Sequence, residues 1–268
     1  MILLPDIALT AAANAGLRAL QAEVDAAGSY ADQVAEGKRL FDLRNVRGNT
    51  IFDEVKRVLD RMCSGARRCA YCEDSAADEV EHVRPKDLYP HVVFAWDNYI
   101  YACGPCNGPK GSHFAVFVAG DVAPVEVARK PKAPIVPPLD GEPVLIDPRT
   151  DDATKLMFLD LRETYFFVPS AAKGTRDHAR ADYTIRTLRL NRDELLRARR
   201  HAYHDYVAHV RHYQRERDTQ APAARLLELR EAVQGRQHPT VWREMQRQRE
   251  KLPELQVLFV DVPEAVAW

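Results

Sequence analysis

Apolar residues follow a helical period in two long stretches of the chain, and a shorter stretch with a different pattern separates them. In TIFDEVKRVLDRM, residues 50–62, apolar side chains recur every three or four positions, which predicts a helix with one buried face. Thr50 with Asp53 resembles a capping box that begins this helix, and Thr10 is suited to cap an earlier one. We therefore predict an N-terminal helical region over residues 1–65.

The helical period returns near residue 178 and continues to the end of the sequence. In TIRTLRLNRDELLRARRHAYHDYVAHVRHYQRER, leucine, valine and tyrosine side chains share one side of a long helix, and Asn191 is suited to cap it. Gly235 is suited to end the next helix and Pro239 to begin another. These signals predict a C-terminal helical region over residues 178–268.

Between the helical regions the chain has short β-prone runs, turn residues and prolines. Polar and apolar residues alternate in DEVEHVRP up to Pro85, which predicts a strand, and AWDNYIYAC is also β-prone. The segment CNGPKG is suited to begin a helix. We therefore predict a strand, a loop, a second strand and a helix over residues 66–120. Residues 121–177 begin with a proline-rich run and continue with VLI and YFFV, which predicts an extended connection and a small hairpin or meander. The whole pattern predicts an α+β fold that is mainly helical.

Composition narrows the class of protein. The 268 residues are 46 % hydrophobic and 29 % charged, which is typical of a globular protein with one large domain or two small ones. No apolar run reaches the roughly 18 residues that suggest a membrane span. The first residues lack the basic start and compact apolar core of a signal peptide, so we expect a cytoplasmic protein.

The net charge of −1 argues against a uniformly basic nucleic-acid binder, but it allows a local basic surface. The segment from Arg186 to Arg217 holds nine arginines against four acidic residues. A run of this kind is more often the solvated face of a helix than a nucleic-acid contact. Charge alone therefore does not assign a partner.

Four of the five cysteines form two C-x2-C pairs, Cys69 with Cys72 and Cys103 with Cys106. In a reducing compartment such pairs are metal ligands more often than disulfides. Two intervening residues let both sulfurs face one ion at about 2.3 Å, and four thiolates complete a tetrahedron. We predict a structural Zn²⁺ site with no open position for water. Cys63 is poorly spaced to join either pair and is interpreted as a buried structural thiol.

A second pattern lies between and after the cysteine pairs. VEHVRPK, WDNYIYACGPCN and NGPKG resemble the zinc-stapled form of the HNH nuclease motif, the ββα-metal finger, over residues 69–111. More loosely, the chain is similar to HNH proteins of the retron- and Septu-associated group of bacterial antiviral systems. The wider likeness adds VLIDPRTDD at residues 144–152 and TIRTLRLNRDEL at residues 184–195.

The resemblance implies a catalytic role for four residues. His82 would be the general base, because a neutral imidazole near physiological pH can take a proton from water. Glu81 and Asn107 would hold Mg²⁺ or Mn²⁺ through oxygen, the ligand atom that such ions prefer. The ion would polarise the scissile phosphate and stabilise the departing 3′ oxygen. Asn98 would hold the loop of the motif and keep His82 aimed.

The resemblance also implies contacts with a nucleic acid. Lys110, and more weakly Arg84, would contact a phosphate. The third letter of the HNH motif is often histidine, and here it is Asn107. This difference puts the preferred metal in question more than the activity.

Three functions compete on this sequence. The first is a metal-dependent endonuclease that cuts DNA, and the resemblance implies that it is the nuclease effector of an anti-phage system, restrained by a regulatory ATPase encoded nearby. The second is a zinc-stabilised nucleic-acid-binding module without catalysis, which would not need the Glu81–His82 pair. The third is an RNA-cleaving nuclease such as a tRNA-cutting toxin. In isolation, each polar residue of the motif also has a plain structural interpretation, as a core histidine, a surface carboxylate, a turn residue or a helix cap.

Overall fold

The computed structural model describes the whole chain, residues 1–268. Three helices form its N-terminal layer: α1 (Ala11–Asp25), α2 (Tyr30–Arg44) and α3 (Thr50–Met62). Thr10 caps α1 as predicted, because its side chain accepts a hydrogen bond from the Ala13 amide. The predicted cap of α3 is wrong by one residue. Asn49 is the cap, and the Asp53 carboxylate accepts from the Gly48 amide.

The cysteine region forms the predicted strand, loop, strand and helix. Its elements are β1 (Glu79–His82), β2 (Tyr99–Ala102) and α4 (Gly104–Lys110). The two strands are antiparallel, with Glu81 opposite Ile100 and His82 opposite Tyr99. The connecting loop contains two short 3₁₀ turns, Pro90–Val92 and Trp96–Asn98. We call residues 69–111 the finger.

Two small sheets follow the finger. In the first, β3 (Ala115–Phe117) lies between β4 (Val125–Glu126) and β5 (Glu142–Pro143). After the short helix α5 (Ala153–Leu156), β6 (Met157–Leu159) pairs with β7 (Phe167–Pro169) as an antiparallel hairpin. The expected small hairpin is therefore present, although the VLI run lies buried after β5 and not in a strand.

The C-terminal region contains five helices and a final 3₁₀ turn. They are α6 (Arg176–Thr187), α7 (Asp193–Asp218), α8 (Ala223–Gln234), α9 (Pro239–Gln248) and α10 (Pro253–Asp261). Gly235 follows α8 and Pro239 begins α9, as predicted. Asn191 does not cap α7. Its amide instead exchanges two 2.8 Å hydrogen bonds with the backbone of Phe167, in β7.

One hydrophobic cluster of 66 buried residues unites the chain. It includes side chains from the N-terminal helices, the finger, the small sheets and the C-terminal helices. This architecture confirms the α+β, mainly helical fold class, whereas the boundaries of the four regions stay a prediction. None of the helices combines the length and the apolar character needed to cross a membrane.

Distant residues hold the finger in this core. The guanidinium of Arg149 donates to the carbonyl oxygens of Trp96 and Tyr99 at 2.8 and 3.1 Å. At the first cysteine pair, Glu73 is buried and accepts hydrogen bonds from the amide and hydroxyl of Thr240 in α9. The finger is thus fastened on two sides by segments that follow it in the chain.

Candidate active site and zinc centre

The four paired cysteines converge on one point. The Sγ atoms of Cys69, Cys72, Cys103 and Cys106 all lie within 4.8 Å of one another, and all four residues are buried. Four sulfurs placed about 2.3 Å from one ion stand roughly 3.8 Å apart in a tetrahedron. The Cys72–Cys103 Sγ distance is 3.8 Å, so the cluster fits a structural zinc ion. Cys63 lies outside this cluster and is half-buried, and its thiol faces the Leu59 carbonyl.

The alternation of β1 separates the polar residues of the motif onto two faces. Successive side chains of a strand point to opposite sides, and β1 keeps a regular register along its length. Glu79 and Glu81 therefore share the face that contacts α4. His82 points to the opposite face, toward Phe41 in α2. The strand does not bring Glu81 and His82 together on one surface.

Glu81 is paired with a lysine that the sequence suggested for a different task. The Lys110 ammonium lies 2.5 Å from Glu81 Oε1 and also donates to the His82 carbonyl oxygen at 2.8 Å. Burial raises the pKa of Glu81, and the Lys110 charge opposes that shift. Because Lys110 is 0 % exposed, its ammonium cannot reach a phosphate in this conformation. The predicted phosphate contact is therefore replaced by a buried ion pair.

Asn107 is held by a residue that the sequence analysis missed. Its Nδ2 donates to Glu79 Oε2 at 2.5 Å. A carboxylate oxygen only accepts, so this contact fixes the amide with Nδ2 toward Glu79. The available signal was the spacing of Glu79 and Glu81, because residues two apart on a strand lie on the same face.

His82 is enclosed but keeps one ring nitrogen without a partner. Its ring packs against Phe41 and Tyr99, with centroid distances of 4.5 and 5.1 Å. Nε2 lies 2.9 Å from the Val93 carbonyl oxygen. Nδ1 makes no hydrogen bond in the structure, and it is not among the fully enclosed side-chain atoms that lack a partner. Burial lowers the pKa of His82 to about 3, so the ring is neutral at physiological pH.

Asn98 joins the two ends of the loop that faces His82. Its Oδ1 accepts from the Arg84 amide at 2.7 Å, and its Nδ2 donates to the carbonyls of Arg84 and Val92. Val93, the partner of His82, follows directly. The side chain of Asn98 therefore stabilises the backbone that orients the histidine ring, while Asn98 itself is buried.

Oxygen atoms suited to a hard cation occur on the α4 face. Glu81 Oε2 and Asn107 Oδ1 accept no side-chain hydrogen bond in the structure, and neither is a fully enclosed atom. A carboxylate and an amide oxygen suit Mg²⁺ or Mn²⁺ better than Zn²⁺. The donor chemistry of Glu81 and Asn107 thus fits the predicted ion, although one oxygen of Glu81 already contacts Lys110.

Arg84 lies at a cleft on the loop side of the finger. The cleft has a volume of about 570 Å³, and Asn98, Asp147 and Arg180 contribute to its wall. Arg84 is half-buried, with its guanidinium 5.4 Å from the Tyr89 ring centre, and it forms no ion pair. Burial raises the pKa of Asp147 to about 6. Of the two predicted phosphate contacts, Lys110 and Arg84, only Arg84 has a charge that is not neutralised by an ion pair.

Comparison with known proteins gives one partial relationship. The chain is 38 % identical over 71 residues to Septu protein PtuB from Bacillus thuringiensis. The match covers 25 % of this chain and 28 % of that relative's length. No family model matches the sequence, and no solved structure matches the chain.

Proposed function

We propose that the chain is an HNH-type, metal-dependent endonuclease that hydrolyses phosphodiester bonds of DNA. The observation that carries this proposal is the geometry of His82, whose Nε2 lies against a backbone carbonyl while Nδ1 has no partner. A carbonyl oxygen only accepts, so Nε2 carries the proton and Nδ1 presents its lone pair. Nδ1 is therefore the ring nitrogen that would take a proton from a water molecule.

The acidic residue and the amide would act from the α4 face. Glu81 and Asn107 would hold Mg²⁺ or Mn²⁺ through Oε2 and Oδ1. When bound, such an ion supplies charge stabilisation for the phosphate and the leaving oxygen. Lys110 orients Glu81, Glu79 orients Asn107, and Asn98 keeps the loop in place beneath His82. His82 is the last residue of β1, so the scissile phosphate would lie across the end of the strand.

The alternative with a specific observation in its favour is a zinc-stabilised nucleic-acid-binding module without catalysis. His82 is only 4 % exposed and Lys110 neutralises Glu81, as expected if both residues are structural. An RNA-cleaving activity would use the same residues.

Plasmid cleavage by the wild type and by His82→Ala tests the proposal. We expect Mg²⁺- or Mn²⁺-dependent cleavage by the wild type and a loss of roughly 10²- to 10⁴-fold in the variant, the usual contribution of a general base. The matched control is His91→Ala, because His91 lies in the same loop but is exposed. Equal zinc content in all three proteins separates the catalytic defect from misfolding.

Cleavage that persists in His82→Ala would refute the role of the histidine. Binding of DNA without cleavage by any variant would favour the non-catalytic module. A parallel digestion of matched RNA and DNA identifies the substrate.

The partial similarity to Septu protein PtuB supports extending the proposal to anti-phage defence. In that setting the nuclease would be restrained by a regulatory ATPase encoded nearby, which would dock on the helical flanks of the finger. Co-expression with the neighbouring ATPase, followed by size-exclusion chromatography and the same plasmid assay, tests this part separately.

A further inference from the structure

The turn between α6 and α7 takes no part in the chemistry proposed above, yet it approaches the zinc centre. It belongs to the stretch TIRTLRLNRDEL, residues 184–195. Arg189 in this turn has a φ of 49°, a left-handed conformation that is unfavourable for a residue with a side chain. Such strain persists where the surrounding contacts impose it. The turn ends at Arg192, the residue that precedes α7.

The side chain of Arg192 points at a predicted zinc ligand. Its guanidinium nitrogen Nη1 lies 3.5 Å from Cys106 Sγ, within the range of an N–H···S hydrogen bond. The same nitrogen lies 3.3 Å from the Arg189 carbonyl oxygen and 3.5 Å from that of Leu188. The strained turn therefore provides backbone acceptors that aim the guanidinium at the sulfur.

The contact between Arg192 and Cys106 is electrostatically favourable. Zn²⁺ with four thiolates carries a net charge of about −2, and all four cysteines are buried. A buried charge without a counter-charge is costly. Arg192 brings a permanent positive charge into direct contact with one sulfur. Arg192 itself is half-buried, whereas Arg199, seven positions later in the chain, is buried and donates to the carbonyls of Tyr165 and Leu190.

We propose that Arg192 is a positioning residue for the zinc centre: its guanidinium donates to the Cys106 thiolate and offsets the charge of the four-thiolate site. The finger then does not retain zinc by its cysteines alone. Retention depends on the α6–α7 turn, which lies 86 positions beyond Cys106 in the sequence. This proposal concerns the cysteine cluster and is independent of any nuclease activity.

Zinc transfer from the full-length, zinc-loaded protein to the chromogenic chelator 4-(2-pyridylazo)resorcinol tests the proposal. We expect Arg192→Met to lose zinc roughly 10- to 100-fold faster than the wild type, because losing an outer-shell partner of a ligand typically lowers metal affinity by that factor. Arg192→Lys keeps the charge but not the planar donor group, and we expect an intermediate rate. The matched control is Arg197→Met, because Arg197 lies only five positions later, in α7, and is exposed without an ion pair.

Two results would overturn the proposal. One is a wild-type rate of zinc transfer for Arg192→Met, and the other is equal acceleration by Arg197→Met. A purely structural role for Arg192 would lower the melting temperature of the zinc-loaded protein and leave the transfer rate below melting unchanged, which would also refute it. If Arg192→Met does not fold, Arg192→Lys decides: faster transfer from a protein with wild-type circular dichroism supports the proposal, and an unchanged rate refutes it.

Discussion

Replacing Lys110 by methionine tests whether the ion pair on the α4 face is as deeply buried as the structure indicates. Methionine keeps the apolar stem of lysine and removes the ammonium group. The Glu81 carboxylate, whose side chain is 9 % exposed, would then be left in the interior without its counter-charge. The His82 carbonyl would also lose its 2.8 Å hydrogen bond from Nζ.

The burial of both Lys110 and Glu81 determines how much stability the substitution should cost. Exposed ion pairs contribute about 0 to 1 kcal/mol, but breaking a buried pair on one side costs roughly 3 to 5 kcal/mol, because a charge is left uncompensated. We expect Lys110→Met to lower the free energy of unfolding by about 3 to 5 kcal/mol near pH 7. The double variant Glu81→Met with Lys110→Met removes both charges, and we expect it to be close to the wild type.

The pH dependence follows from the direction of the Glu81 shift. Burial already raises the pKa of Glu81 above its ordinary value of 4.5, and removing Lys110 raises it further. A carboxyl group whose pKa is higher in the folded state contributes stability that is present below the unfolded pKa and is lost as pH rises through the folded pKa. The deficit of Lys110→Met should therefore shrink as pH falls from about 7 toward about 5.

Urea denaturation of the zinc-loaded proteins, followed by circular dichroism across this pH range, is the assay. The double variant is the internal control, because acid weakens the cysteine site equally in both proteins and the difference between them isolates Glu81. A deficit of Lys110→Met below about 1 kcal/mol would mean that the pair behaves as an exposed one. A deficit that does not change with pH would refute the assignment to an unpaired carboxylate.

Two further predictions concern the loop and the zinc centre. Asn98→Ala removes three hydrogen bonds inside the loop, so we expect a loss of roughly 2 to 4 kcal/mol in urea denaturation, with native zinc content; wild-type stability would contradict it. Cys103→Ser removes one ligand from the buried cluster, so we expect substoichiometric zinc by elemental analysis and greater protease sensitivity in the finger, whereas Cys63→Ser should retain zinc fully.

The local patterns of the chain were sufficient to predict the elements of the finger and the helix that precedes it. The alternation before Pro85 became β1, the run ending at Cys103 became β2, and the 3.6-residue period of α3 produced its buried face. These elements follow from local periodicity because each buries the side chains that its own geometry places on one face. The cysteine cluster could also be predicted from the sequence, since two close pairs already restrict where four sulfurs can meet.

Tertiary contacts explain what the sequence did not predict. Asn191 has the side chain of a helix cap, but β7 offers it a backbone donor and acceptor, and that pairing prevails. Lys110 beside a nuclease-like motif suggested an exposed phosphate contact. Its burial depends on how α4 lies against β1, where Glu81 is the nearest anion. The packing of a helix against a strand determines which polar side chains become buried. The spacing of residues in the sequence does not reveal that packing.

The distance along the chain between Cys106 and Arg192 has a consequence for synthesis. All four paired cysteines are synthesised before residue 192, and Arg192 lies 86 positions after Cys106. At about 5 to 20 residues per second, the interval is roughly 4 to 17 s. During these seconds the chain holds all four predicted zinc ligands but not the arginine proposed to offset their charge. If Arg192 offsets the thiolate charge as proposed, the thiolates are most open to oxidation and to metal exchange during this interval, which ends once the α6–α7 turn has been made.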